Sequence, residues 1–254
     1  MSPALQAILA SVLSSILGLA GGFFLLWKDQ ATRKFSRLFV SFAAGALLGA
    51  AFFDLLTEAV TEAPEKITLI FAWVVGGFLF FFLIEKLLLW HHHNHDDEHH
   101  AEQHSVLAPL VLVGDAIHNF IDGTVIAATF LFNPALGATT ALAVFFHELP
   151  QEIGDFSIML HGGWTRKRIA MWNLLGALVS PLGAVVTIFL SQHINGLTLP
   201  LIGIAAGNFI YISAADLIPE IHREKRTKRM AWQFGLLVLG ILTIVGFGQL
   251  FPGA

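Results

Sequence analysis

The sequence contains no cysteine among its 254 residues, so neither a disulfide bond nor a thiolate metal ligand can form, and the redox compartment stays open. Charged residues make up only 13% of the chain, whereas soluble domains have about a quarter. No Walker motif is present, so we expect no ATP hydrolysis by this chain. What remains is apolar: 56% of residues are hydrophobic and the mean hydropathy is +0.72, which indicates an integral membrane protein.

Eight apolar stretches are each long enough to cross a bilayer, which requires roughly 20 residues. Their apolar runs are continuous rather than alternating, which predicts helices instead of barrel strands. The first stretch lacks a basic leader and its apolar run is long, so we expect a membrane helix and not a signal peptide. The predicted spans lie at about 3–27, 38–61, 67–90, 105–132, 135–162, 168–190, 199–220 and 231–251.

Lysine and arginine are distributed unevenly over the predicted loops. Of the 14 basic residues, 13 lie on odd-numbered loops and only Lys66 lies on an even-numbered one. Cytoplasmic loops collect Lys and Arg, so an even helix count places both termini outside the cytoplasm. The 13 are Lys28, Arg33, Lys34, Arg37, Lys86, Arg166, Lys167, Arg168, Arg223, Lys225, Arg226, Lys228 and Arg229.

Two segments 162 residues apart are alike: AAGALLGAAFFDLLTE at 43–58 and AAGNFIYISAADLIPE at 205–220. Both open with Ala-Ala-Gly and close with Asp, Leu and Glu at identical spacing. The two spans run in opposite directions, which predicts an inverted repeat of the transporter kind, with chance similarity as the alternative. The predicted fold is an all-α integral membrane protein with eight transmembrane helices, in which spans 1–3 and 6–8 repeat around a central helix pair, spans 4 and 5.

The central pair carries an unusual set of polar side chains. Span four contains GDAIHNFIDG and span five contains HELPQE. Residues four apart stack on one face of a helix, and both motifs are built from such pairs. The pairs are Asp115 with Asn119 and His118 with Asp122 in span four, and His147 with Gln151 and Glu148 with Glu152 in span five.

Four of these residues are carboxylates, and neither span contains a Lys or Arg to neutralise them. A carboxylate at the bilayer centre costs about 2.5–3.5 kcal/mol, so four facing lipid would cost roughly 10–14 kcal/mol. That equals the whole stability of a typical protein, so we expect them to face inward around a bound cation. Imidazole and carboxylate without sulfur suit Zn²⁺, Fe²⁺ or Mn²⁺.

Two other interpretations of the central pair stay open. The polar residues could form a hydrogen-bonded core that only joins two helices. The HExxH motif of metallopeptidases is also close, but Gln151 replaces its second histidine, and we therefore predict that the chain is not an enzyme. Pro150 is expected to open the helix beside His147, because it clashes with the carbonyl of Phe146 and frees a backbone oxygen for an ion.

HNFIDG and HELPQEIGDF resemble the paired metal motifs of the ZIP family of zinc–iron permeases. The eight spans, the outward termini and DLIPE at 216–220 extend the likeness over nearly the whole chain. The resemblance implies a secondary transporter that moves divalent metal into the cytosol by alternating access of spans four and five against the rest. Zinc is then a transported substrate, with Fe²⁺ or Mn²⁺ as alternatives, and no prosthetic group is expected.

The resemblance also implies two adjoining metal sites. The first would use His118, Asp122, His147 and Gln151, and the second would use Asn119 and Glu148. Gln151 stands where many relatives have histidine and Ser180 stands where some have glutamate, so we expect a weak or absent second site. With Glu152 on the same stripe of span five, the predicted metal ligands are His118, Asn119, Asp122, His147, Glu148, Gln151 and Glu152.

Further charges and the histidines of one loop complete the prediction. Asp54 and Glu58 lie at the outer end of the expected pathway, and Asp155, Asp216 and Glu220 lie towards the cytosol, either as pathway or as interfacial charges. Within a single transporter domain, 1–254, residues 91–104 hold seven of the twelve histidines. We expect this segment to be a cytoplasmic loop that captures or senses metal, or a solvated linker.

The expected location is a cell membrane, with several passes through the lipid bilayer. The metal ion and the bilayer are the expected partners, no nucleic acid is expected, and a homodimer is one assembly left open. The alternative function is a membrane metal sensor or receptor that binds the ion without transporting it.

Overall fold

The computed structural model describes residues 1–27, 29–93, 103–222 and 227–250, and every regular element in them is a helix. The predicted all-α fold is therefore confirmed. Eight long helical stretches follow one another along the described chain. They are α1 (Pro3–Trp27), α2 (Leu38–Glu62), α3 (Ile67–His93), α4 (Gln103–Phe132), α5 (Pro134–His161), α6 (Arg166–His193), α7 (Thr198–His222) and α8 (Thr227–Leu250).

Seven of these eight helices are long and apolar enough to cross a membrane, and the exception is α5. Its 28 residues would reach about 42 Å at 1.5 Å per residue, so its length is sufficient. Three carboxylates, at Glu148, Glu152 and Asp155, make it less apolar than the others. The integral membrane class is confirmed, whereas the count of eight spans and the side of the termini stay predictions.

The exterior of the bundle is apolar, unlike that of a soluble protein. Large apolar side chains such as Phe53, Val75 and Phe189 are more than half exposed. The interior is mostly apolar as well, but it also holds acids, an amide and an imidazole, each at most 3% exposed: Asp115, Asn119, Asp122, His147, Glu148 and Glu152. In a lipid environment, ionisable side chains are expected to face the interior of the bundle in this way.

Neighbouring helices are packed in pairs around α4 and α5. Helix α5 packs against α1 and α4, α4 packs against α6, and the remaining helices form the pairs α2–α8 and α3–α7. Glycines permit the closest approach, since a Cβ at Gly123 would overlap the carbonyl oxygen of Ser180 and one at Gly183 would overlap that of Phe120. These contacts hold the ends of α4 and α6 together just beyond Asp122.

Helices α2 and α7 each contain one π-helical turn, at Ala50–Leu55 and Ile212–Leu217. The turns begin 162 residues apart, the offset of the two similar segments, although the inverted relation of the halves stays a prediction. π-Helical turns are rare and occur mostly at functional sites.

Two local features differ from the sequence-based expectation. The sixth span is interrupted at Leu178, between helical segments Arg166–Ala177 and Val179–His193. Conversely, α5 stays helical through Pro150, so the expected opening beside His147 is not present. A proline removes only one hydrogen bond of the helix, and packing against α1 and α4 supports the residues around it.

The centre of the His-rich segment 91–104 lies outside the described residues. Helix α3 ends at His93 and α4 begins at Gln103, which leaves 94–102 undescribed. The predicted loop and its role in metal capture therefore stay a prediction.

Candidate metal site

Helices α4 and α5 bring four ligand atoms into one group. His118 Nε2 and Asp122 Oδ2 come from α4, His147 Nε2 and Glu148 Oε1 come from α5, and all lie within 4.8 Å of one another. The two imidazole nitrogens are 3.0 Å apart. Asp122 Oδ2 lies 3.2 Å from His147 Nε2 and 3.5 Å from His118 Nε2. Glu148 Oε1 lies 3.5 Å from His118 Nε2 and 3.9 Å from His147 Nε2.

These separations match those of a small coordination sphere. Ligand atoms about 2.1 Å from a tetrahedral zinc ion are roughly 3.4 Å from each other. The five distances given above, from 3.0 to 3.9 Å, lie on both sides of that value. These five contacts would need to change by only about half an ångström or less to surround an ion of this size.

The charge of the group favours a divalent cation. Asp122, His147 and Glu148 are at most 2% exposed, and the side chain of His118 is 16% exposed. Two ionised carboxylates and two neutral imidazoles together carry a charge of about −2. Both carboxylate oxygens of Asp122 and Oε1 of Glu148 make no hydrogen bond with the described residues. Buried carboxylates of this kind need a positive partner, and a doubly charged ion would neutralise them.

The backbone of α5 orients the ring of His147. Its Nδ1 lies 3.2 Å from the carbonyl oxygen of Ala143, one turn earlier in the helix. A proton on Nδ1 would be donated to that oxygen, which leaves the lone pair of Nε2 directed into the group. The ring also packs near Phe209 of α7, with ring centroids 6.2 Å apart.

The other three predicted ligands lie around the group rather than in it. The amide nitrogen of Asn119 donates to the backbone oxygen of Asp115 at 3.1 Å and to its Oδ1 at 2.9 Å. Gln151 lines the adjacent cavity together with His118. Glu152 is 1% exposed, and its Oε2 has no hydrogen-bond partner among the described residues. Metal ligation by any of the seven stays a prediction.

Ser180 stands at the position where glutamate was expected to contribute to a second metal site. It is 1% exposed, and its hydroxyl has no partner among the described residues. Its backbone oxygen faces Gly123, one residue beyond Asp122, so the side chain lies at the junction of α4 and α6. A serine here offers one neutral oxygen where a glutamate would offer a negative charge.

A cavity of about 630 Å³ leads from the group to one end of the bundle. His118, Asp115 and Gln151 line it near the group, and Asp216 and Glu220 line it near the end of α7. Its described lining contains five carboxylates and neither lysine nor arginine, so it attracts cations. This end of α7 precedes the basic segment that was predicted to be cytoplasmic.

A second pocket, of about 400 Å³, lies at the opposite end of the bundle. Asp54, Glu58 and Thr139 line it, and Asn133 donates a hydrogen bond to Glu58 at 2.9 Å. Thr139 and His147 are eight residues apart on α5, which corresponds to about 12 Å of helix. Thr140 and Ala143 are fully buried in that interval, so the group is closed towards this pocket and open towards the larger cavity.

Sequence reasoning missed two residues of the larger cavity. Glu85 of α3 accepts a hydrogen bond from Tyr211 of α7, and both line the cavity. A carboxylate within the apolar run FFFLIEKLLL, and the only tyrosine of the chain, were signals that could have identified them. What the sequence could not show is that α3 and α7 meet.

The helical bundle, its apolar exterior and its buried group of imidazoles and carboxylates define an integral membrane protein with a group of potential metal ligands in its interior. The family model described as ZIP Zinc transporter matches residues 2–100 and 89–248. The chain therefore belongs to the ZIP zinc transporter family. Members of this family are transporters rather than enzymes, in agreement with the prediction of a non-enzymatic chain.

Several curated relatives are similar over about half of the chain. Zinc transporter ZIP10 of Homo sapiens is 38% identical over 141 residues, which cover 54% of this chain and 17% of the relative. Zinc transporter foi of Drosophila melanogaster is 40% identical over 145 residues, 57% of this chain and 20% of the relative. Zinc transporter ZIP6 of Homo sapiens is 35% identical over 147 residues, 57% and 19% respectively. The matched part thus spans a fifth or less of these relatives.

Proposed function

We propose that this chain is a secondary transporter that carries divalent metal ions, zinc first among them, across a cell membrane into the cytosol. Family membership and the relatives named zinc transporters support the general activity. One observation supports the specific site and route: four ligand atoms meet in a buried group, and an acidic cavity leads from this group to one end of the bundle.

The proposed primary ligands are the four atoms of this group. Gln151 would add its amide oxygen from the cavity wall, while Asn119 and Glu152 would serve an adjoining weaker site. Amide and carboxylate oxygens bind divalent ions only weakly compared with the imidazole–carboxylate set, so the second site would release its ion more readily. Fe²⁺ and Mn²⁺ accept the same donors, so competition with zinc is part of the proposal.

The proposed path follows the two pockets in order. Asp54 and Glu58 would collect ions at the outer pocket, and the group on α4 and α5 would bind them after partial dehydration. The ion would leave along Asp155, Asp216 and Glu220. Because about 12 Å of buried helix separates the outer pocket from the group, α4 and α5 must move against their neighbours before an ion can enter.

Zinc flux into liposomes tests the proposal. Purified protein is reconstituted into vesicles that enclose a zinc-sensitive dye, and external zinc is added. A transporter gives accumulation that saturates with zinc and is not seen in protein-free vesicles. A membrane metal sensor, which is the alternative, would bind zinc with similar affinity, but the fluorescence of the enclosed dye would not increase. Binding without accumulation would therefore replace the transporter proposal with the sensor.

The proposed orientation has both termini outside the cytoplasm and the His-rich segment 91–104 inside, in one transporter domain that can assemble as a homodimer. The chain has no cysteine, so a single introduced thiol reports its own side of the membrane. We expect Ser2→Cys to react with an impermeant maleimide applied to intact cells. Labelling only after permeabilisation would reverse the orientation.

A further inference from the structure

An apolar groove runs along the outside of α4 and α6, beside the cavity of the metal site, with which it shares Ile117 of its lining. It has a volume of about 730 Å³, within the range of roughly 300–1,000 Å³ typical of small-molecule sites. On α4 it is lined by residues from Pro109 to Phe120, on α6 by residues from Arg168 to Val179, and at its end by Trp164, which precedes α6. Val113, Trp172 and Leu175 are 43–51% exposed along it, so its length is open to the surrounding lipid.

The course of α6 creates this groove. The second helical segment, Val179–His193, packs closely on α4 through Gly123 and Gly183, whereas the first, Arg166–Ala177, diverges from α4 below the interruption at Leu178. The groove therefore ends where the close contact begins. Eleven residues separate Arg168 from Val179, which corresponds to about 16 Å of helix. One leaflet of a hydrocarbon core about 30 Å thick has nearly the same depth.

A cationic cluster lies at the open end of the groove. The guanidinium of Arg168 lies 3.8 Å from the ring centre of Trp164, and both line the groove. Stacking on a ring uses the face of the guanidinium and leaves its N–H donors free for a planar or tetrahedral anion. No carboxylate in the described part of the chain pairs with Arg168, and the adjacent Arg166 and Lys167 are also exposed.

We propose that this groove binds one anionic phospholipid. Its phosphate would contact Arg168, and one acyl chain would lie between the groove-lining parts of α4 and α6. Charge selects the head group, since a guanidinium with free donors binds phosphate in two-point geometry. The apolar walls of the groove, which extend over about the depth of one leaflet, favour binding of an acyl chain. Trp164 and Trp172 suit the boundary between the two, where amphipathic aromatic rings concentrate.

Native mass spectrometry of protein released from vesicles of equal parts phosphatidylcholine and phosphatidylglycerol tests this proposal. We expect the wild-type protein to retain phosphatidylglycerol in preference to phosphatidylcholine. Arg168→Gln should lower that preference about fivefold, the effect of one basic group near an anionic head group. Lys228→Gln removes an exposed charge on α8, outside the groove, and should leave the preference unchanged. Val113→Trp should reduce retention of both lipids by filling the groove.

A fluorescence measurement locates the lipid independently of its retention. Phosphatidylglycerol with a brominated acyl chain should quench wild-type tryptophan emission more than brominated phosphatidylcholine does, and the difference should become smaller in Trp172→Phe, in which Trp164 still lines the groove. Equal retention of the two lipids by the wild type would overturn the proposal. So would an equal loss of preference in Arg168→Gln and Lys228→Gln, because that result describes diffuse surface attraction rather than a groove.

Discussion

Replacing Glu148 by glutamine distinguishes two contributions to the free energy of unfolding. One is the destabilisation by a buried carboxylate when no metal is bound, and the other is the stabilisation when metal binds. Glu148 is 2% exposed, and its Oε1 has no hydrogen-bond partner in the described structure. Its Cβ also lies against Gly18 of α1, so a substitution must keep the shape of the side chain. Glutamine does so and removes only the charge.

Without metal, Glu148→Gln should stabilise the protein. A buried carboxylate without a cation costs up to about 3 kcal/mol in a membrane interior, and the glutamine amide keeps part of that cost, so we expect a relief of about 1–2 kcal/mol. With zinc the order should reverse. Zinc at 100 times its dissociation constant stabilises the wild type by about 2.7 kcal/mol. Loss of a residue that only supports a ligand weakens metal affinity about 10–100-fold, so loss of a charged ligand should weaken it more than about 100-fold. At the same zinc concentration, zinc would then stabilise Glu148→Gln by less than about 0.4 kcal/mol.

Thermal unfolding of the purified protein in detergent, with chelator and with zinc, measures both quantities. The curves of wild type and Glu148→Gln should exchange order when zinc is added. Glu65→Gln is the matched control, because its side chain is 67% exposed and lies 3.8 Å from the ammonium group of Lys66, far from any buried site. Equal zinc shifts in wild type and Glu148→Gln would refute the assignment of Glu148 to the site.

Three further predictions concern packing, protons and the His-rich segment. Gly123→Ala should destabilise the protein by about 1–3 kcal/mol, because the added Cβ overlaps the Ser180 carbonyl, whereas Gly76→Ala, with open space around it, should be neutral in thermal unfolding. Zinc affinity, measured by equilibrium dialysis, should fall roughly tenfold or more from pH 7.5 to 5.5, because protons compete for imidazole and carboxylate ligands. Deletion of 91–104 should change uptake at high metal load if the segment captures or senses metal.

Each of these predictions has a contrary result. Equal stability of Gly123→Ala and Gly76→Ala would mean that the α4–α6 contact is not close. Zinc affinity that is constant or rises on acidification would argue against imidazole ligands. Uptake unchanged by the deletion at every metal concentration would reduce the His-rich segment to a solvated linker.

The helical class and the location of the polar group could be predicted from the sequence because both depend on short-range patterns. Continuous apolar runs predicted helices in lipid, and a spacing of four predicted that His118 and Asp122 share a face; their side chains lie 3.5 Å apart. His118 and His147, one from each helix of the central pair, also meet, and their ring nitrogens are 3.0 Å apart.

The parts that the sequence did not predict depend on contacts between distant helices. The polar residues of α5 were expected to share one stripe, but only His147 and Glu148 belong to the group. The direction in which the neighbouring helices approach decides this. The contact of Glu85 with Tyr211 likewise follows from packing of α3 on α7. No local pattern encodes such contacts.

The initial rate of zinc uptake into proteoliposomes by His147→Ala tests the central claim most directly. His147 is 1% exposed and directs Nε2 to within 3.2 Å of Asp122 Oδ2, so its loss removes a ligand from the buried group. His193→Ala is the matched control, because this exposed histidine lies at the far end of α6. We predict saturable uptake by the control and none by His147→Ala at equal protein in the vesicles. Wild-type uptake by His147→Ala would contradict passage of the ion through this group.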